Sequence, residues 1–158
     1  MAHSKDMPSP ELEFAFEAVV DVAAPLDLGV TPAGHRRIIQ IAGGSFEGPG
    51  LKGRVLPGGA DWQIVRADGA TELDARYTLQ TDQGALIYVV NHGLRHGPPE
   101  VLRRIAAGET VDPRSYYFRS AAFFETSAPE LQWLTKTIMV GAGERQRDKV
   151  VIRFWKVL

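Results

Sequence analysis

The stretch TELDARYTLQTDQGALIYVVN, residues 71–91, decides the fold. Thr71, Leu73, Ala75, Tyr77 and Leu79 alternate with Glu72, Asp74, Arg76, Thr78 and Gln80, so one side is mostly apolar and the other polar. Successive side chains of a strand point to opposite faces, and a period of two is the pattern of a strand with one buried face. Residues 85–91 resume an extended, apolar pattern after Thr81, Asp82, Gln83 and Gly84, whose glycine suits a hairpin position with positive φ. The whole stretch predicts an antiparallel hairpin.

Outward from it the same reading predicts strands over residues 11–22, 35–42, 51–56, 61–65, 116–126, 136–141 and 150–157. With the hairpin this makes about nine, spaced evenly along the chain. Residues 23–34 are broken by Pro25, Gly29, Pro32 and Gly34 and predict a loop. Two short helices interrupt the strands. One covers 100–107, opened by Pro98 and Pro99 and stopped at Gly108. The other is a single turn through Trp133, with Ser127 and Glu130 at capping-box spacing.

Many short strands with hairpin links leave a sandwich or a barrel. The 16 glycines cluster beside the short strands, where a small barrel needs sharp corners. Closure also removes exposed strand edges. The expected fold is therefore all-β, an antiparallel closed β-barrel with one or two short helices. It occupies residues 11–158 as one domain behind a polar, flexible leader over 1–10.

Composition narrows the function. A formal net charge of −1 argues against the basic field of a nucleic-acid binder. Arg supplies 13 of the 18 basic residues, a bias compatible with anion recognition, internal ion pairs or simply genome composition. There is no cysteine, which excludes disulfides, thiolate metal sites and thiol nucleophiles. No apolar run approaches the roughly 20 residues that span a bilayer, and the first ten residues lack a signal-peptide core. Cytoplasmic location is the default expectation, with no membrane and no nucleic-acid partner.

Several motifs resemble those of one family: IAGGSFEGPGLKG at 41–53, GGADW at 58–62, DARY at 74–77, YYFR at 116–119, FET at 124–126 and WL at 133–134. Together they resemble the DUF3237 (UPF0311) family of bacterial and fungal proteins, in order and spacing from about Phe14 to Val157. The resemblance implies a β-barrel. It implies no activity and carries no catalytic residues with it, so the site must be argued from chemistry.

Arg76 lies on the polar face of its strand; it faces either solvent or a wet barrel lumen, and the DARY motif favours the lumen. In residues 116–126 both faces are aromatic, so Arg119 and Glu125 are expected to be covered. Buried charges need partners, and Asp61, Arg76 and Arg145 are available to them across strands. A purely structural ion-pair network is the alternative. Asp61 follows a glycine pair and precedes Trp62; at a cavity mouth, aromatic walls would raise its pKa toward general-base duty, whereas a turn-capping role is the plainer reading. Tyr88 sits in an apolar strand, as a core phenol or a catalytic acid. His92 and His96 are four apart but near a strand end, with no carboxylate between them, so no metal site is expected. The glycines at 48, 50 and 53 lack the Lys-Ser/Thr of a phosphate loop, and no Gly-x-Ser-x-Gly elbow occurs.

Two functional readings remain. One is a cofactor-independent enzyme of isomerase, cyclase or dehydratase type, acting on a small oxygenated or carboxylated metabolite in the lumen. Asp61 would be its base, Tyr88 its acid, Arg76, Arg119 and Glu125 substrate-binding groups, and Trp62 and Trp133 its walls. The other is a lipocalin-like carrier or sensor without turnover, for which an apolar cavity is expected. The aromatic strands also leave a homo-oligomer open.

Overall fold

A computed structural model describes residues 6–158. It holds ten strands in one sheet: β1 Leu12–Val22, β2 Leu26–Thr31, β3 Gly34–Gly48, β4 Leu51–Val55, β5 Ala60–Val65, β6 Thr71–Thr81, β7 Leu86–His96, β8 Tyr117–Glu125, β9 Met139–Arg145 and β10 Lys149–Val157. Eight of them, in the order β1–β10–β9–β8–β7–β6–β4–β3, close into an antiparallel barrel because β3 pairs back onto β1. β5 lies in line with β4 in the gap between β3 and β6, and β2 pairs with β3 alone. The first five residues of the expected leader lie outside the described range; residues 6–10 hold neither helix nor strand.

The fold class is as the sequence indicates, and the details correct it in several places, among them the strand expected over 136–141, which is Met139–Arg145 with Lys136 in the preceding 3₁₀ segment. Residues 23–34 are not simply a loop, since they contain β2. Strand β3 continues to Gly48, through Gly43 and Gly44 at φ 151° and 134°. A side chain at Gly44 would run into the carbonyl of Val19, so the barrel closes there only because the residue has none. Strand β7 runs on to His96, five residues past its expected end.

The two ends of the barrel are sealed differently. A 3₁₀ segment, Pro129–Lys136, covers one end with Leu131 and Leu134 buried. It begins at Ala128 without a side-chain cap, so the expected Ser127 capping box is not formed. At the other end α1, Pro99–Ala106, turns Val101 and Ile105 onto Leu73, Val111, Tyr116 and Phe118. The lumen under the 3₁₀ segment is solid. Phe16 packs against Phe46, Phe124 and Phe154 at ring-centroid distances of 5.9, 5.9 and 4.8 Å, with Leu79, Ile87, Val89 and Met139 around them.

Candidate functional site

The half of the lumen nearer α1 is not filled. A cavity of about 50 Å³ remains there, room for a few water molecules or the reacting end of a small ligand. Its walls are partly aliphatic, with Val20, Ile39, Ile41, Leu73 and Ile152. Between them the strands point polar side chains inward: Arg37 from β3, Asp61 and Gln63 from β5, Tyr77 from β6, Asn91 and Arg95 from β7, Ser120 from β8 and Arg145 from β9. Alternation places each of them. Arg37 shares a face with Ile39 and Ile41, and Asn91 and Arg95 continue the inward series of Ile87 and Val89.

Asp61 is held from two sides. Its Oδ2 accepts a hydrogen bond from Gln63 Nε2 at 2.8 Å, and its Oδ1 accepts one from the backbone N–H of Asp74, also at 2.8 Å. Burial nevertheless pushes its pKa up from the ordinary carboxylate value, against those two bonds and the charge of Arg95. Burial also raises the Tyr77 phenol above its usual range, with the charge of Asp61 adding to the effect. Tyr77 is therefore a neutral hydrogen-bond donor at any physiological pH. Burial lowers Arg95 to about 10, with help from the charges of Arg145 and Arg37 and against that of Asp61.

Five buried polar atoms have no hydrogen-bond partner among the described protein groups: Arg37 Nε, Gln63 Oε1, Tyr77 OH, Asn91 Oδ1 and Ser120 Oγ. All five residues line this one cavity. Buried polar groups are nearly always satisfied, and each that is not costs about 1–3 kcal/mol. Five such atoms around one space make this cavity the candidate site.

Of the catalytic and substrate-binding residues anticipated from sequence, only Asp61 lines this cavity; Arg145, anticipated as a pairing partner for Arg119 and Glu125, lines it too, on the opposite side of the wall from both. Arg76 is on the outer wall, because Tyr77 and Ala75 take the inward positions beside it; it pairs with Asp74 at 3.3 Å and adjoins Tyr88. Tyr88 faces outward because Ile87 and Val89 face in. Arg119 and Glu125 are exposed, and the expectation that β8 is covered on both faces fails: Phe123 on the same outer side is 52% exposed. Arg119 donates to the carbonyl of Phe118 and lies over the Tyr117 ring, far from any partner in the lumen. Trp62 is 37% exposed on the outside of β5. Trp133 packs beside the solid half of the core with Lys156 Nζ 4.4 Å from its ring centroid. His92 and His96 are also exposed, His92 against Asp74 at 3.4 Å and His96 stacked on Tyr117.

Comparison with known proteins places the chain. Residues 10–157 match the family model described as "Protein of unknown function (DUF3237)". The chain belongs to this family. The UPF0311 protein RPA1785 of Rhodopseudomonas palustris is 44% identical over 151 residues, spanning 96% of this chain and 99% of its own. The crystal structure of RPA1785 superposes with a TM-score of 0.91 over the same shares of both chains. A β-barrel-like protein from Acinetobacter baumannii is 44% identical, with a TM-score of 0.85 over 98% of this chain and all of its own. A more distant relative, the hydroalkoxylation enzyme phnH of Penicillium herquei, is 26% identical over 148 residues, which are 94% of this chain and 84% of its own. No helix among the described residues is long and apolar enough to cross a membrane.

Proposed function

We propose that this DUF3237 protein is a proton-transfer enzyme acting on a small oxygenated metabolite in the half of the lumen nearer α1 (the upper lumen), with Asp61 carrying the proton. The supporting observation is the convergence of a carboxyl group of raised pKa and five unpartnered polar atoms on one cavity. A carboxyl tuned upward both takes and returns a proton nearer neutral pH than a free one does. The neutral Tyr77 hydroxyl takes the place first expected of Tyr88 and donates to oxygen charge developing on the substrate. The distant relative's name fits this chemistry. Hydroalkoxylation adds an alcohol O–H across a carbon–carbon double bond, so one proton leaves oxygen, one arrives at carbon, and no electrons are exchanged. Cyclisation, isomerisation and dehydration make the same demand on Asp61.

One observation favours the carrier reading: neither Asp61 oxygen is hydrogen-bonded to a second titratable group. Turnover separates the two. The test follows a panel of hydroxyalkenes and β-hydroxy ketones by NMR in D2O, reading product formation and deuterium at carbon. The wild-type chain is expected to turn over at least one, and Asp61→Asn to lose about 10²–10⁴-fold in rate. Binding without product or exchange in the wild type, or an undiminished Asp61→Asn, overturns the enzyme reading.

A further inference from the structure

The cavity opens through three arginines. Arg37, Arg95 and Arg145 line both the inner cavity and a wider funnel of about 640 Å³ beneath α1. They come from three strands, β3, β7 and β9, and converge at the neck between the two spaces. Beyond them Arg103 of α1 and Arg147 of the β9–β10 turn line the funnel. Among the described residues Asp61 is the one acidic residue lining the cavity, and none lines the funnel.

None of the three neck arginines has an ion-pair partner within 4.0 Å among the described residues. Arg95 is only 7% exposed, and what its guanidinium meets is the ring of Phe118 at 5.7 Å. Arg145 Nη1 reaches the carbonyl of Lys149 at a long 3.3 Å, and Asp148 and Asp61 act on it only at a distance. Arg37 Nε has no hydrogen-bond partner among the described residues. Arg95 is buried and Arg37 and Arg145 are half-buried. Gathering three guanidinium groups at one neck without a carboxylate within ion-pair distance is costly, with only the more distant charges of Asp61 and Asp148 to offset it. Arginine forks match planar or tetrahedral oxyanions, and they do so best where water is scarce.

We infer that Arg37, Arg95 and Arg145 form an anion subsite that takes the carboxylate or phosphate group of the ligand, leaving its uncharged end to reach Asp61. The small inner cavity admits only a short group past the neck, so the ligand enters uncharged end first. Arg103 and Arg147 raise the local concentration of anions at the entrance. This inference rests on the upper lumen being a ligand site but not on turnover there.

The test is calorimetric titration of the full chain with benzoate and with inorganic phosphate, and with benzyl alcohol as the uncharged control. An anion is expected to bind and to weaken as salt rises, while benzyl alcohol binds at least tenfold more weakly. The tighter of the two anions identifies the head group. Arg95→Met and, independently, Arg145→Gln should each weaken the anion roughly tenfold to a hundredfold. Asp61→Asn should hold it as tightly or more so, because the substitution removes the one negative charge that lines the inner cavity with the cluster among the described residues. Equal binding of benzoate and benzyl alcohol, no binding of either anion at millimolar concentration, or full affinity in a folded arginine variant overturns the subsite. Anion binding in a chain that turns nothing over leaves the subsite standing and removes the enzyme.

Discussion

Strand β7 sends Ile87 and Val89 into one half of the lumen and Asn91 and Arg95 into the other. Strand β8 does the same with Phe124 and Ala122 against Ser120, and β3 with Phe46 against Arg37. The walls are shared, and alternation runs through both halves in β7 and β8 and across a single bulge at Gly43 in β3, yet the halves differ in kind. The half under the 3₁₀ segment interlocks four phenylalanines. The half under α1 leaves a space and gathers every buried side-chain nitrogen and oxygen found without a partner among the described residues. Close packing and unpaired polarity are thus divided along the barrel axis: one half supplies burial, and the other leaves polar groups unpartnered at a cost in stability, as the proposed ligand site requires.

The largest effect is expected where the packing is closest. Phe16 has no exposed surface and touches Phe46, Phe124 and Phe154. Phe16→Ala should cost about 3–5 kcal/mol, the lost transfer energy plus the cavity left behind. Equilibrium urea unfolding measures it. A cost below about 1 kcal/mol would mean that the aromatic half does not carry the fold, and the contrast would break at its root.

The sequence made the solid half legible and the open half much less so. Period-two alternation in β1 and β6 follows from having one dry face and points to strands, and the glycine corners then favour a barrel over a sandwich. Strand β2 escaped because its stability owes little to side chains: Leu26, Leu28 and Val30 are all exposed, Val30 to 87%, and only the ladder with β3 holds it. Arg95 escaped because Gly93 reads as the end of a strand. In the fold that glycine is internal, since a Cβ there would sit 2.7 Å from the carbonyl oxygen of Arg119 on β8. Arg76 was drawn inward by its motif, although alternation beside Tyr77 already turned it out. Arg37, in register with Ile39 and Ile41, was readable and passed over, because an arginine on an apolar face looks like an exception until a cavity explains it.

A second, smaller effect sharpens the contrast through pH. Burial raises the Asp61 pKa in the folded protein above its unfolded value. As pH rises through the unfolded value near 3.8, the unfolded chain gives up this proton first, so stability falls until the folded group also ionises and is flat above that. Asp61→Asn removes the loss. Thermal unfolding at pH 7 should find the variant at least as stable as the wild type, with the difference shrinking toward pH 3. A variant less stable at pH 7 would show that Asp61 is there to hold β5 to Asp74 rather than to serve the cavity.

The smallest expected effect is the most discriminating. Ser120 Oγ lies close to Gly141, where even a Cβ would collide with it, and it has no partner. Were this half of the lumen built only to be stable, alanine would serve in its place, since removing an unpaired buried hydroxyl costs little packing and relieves a desolvated polar group. Ser120→Ala should therefore shift the unfolding free energy of the unliganded chain by no more than about 0.5 kcal/mol in either direction. The same substitution should weaken any ligand that reaches the upper cavity, because the hydroxyl then loses the bond it was kept for. A loss of 1 kcal/mol or more without ligand would mean that Ser120 is already satisfied in the free protein. The polar half would then be a structural network like any other, and its difference from the aromatic half would be one of composition, not of purpose.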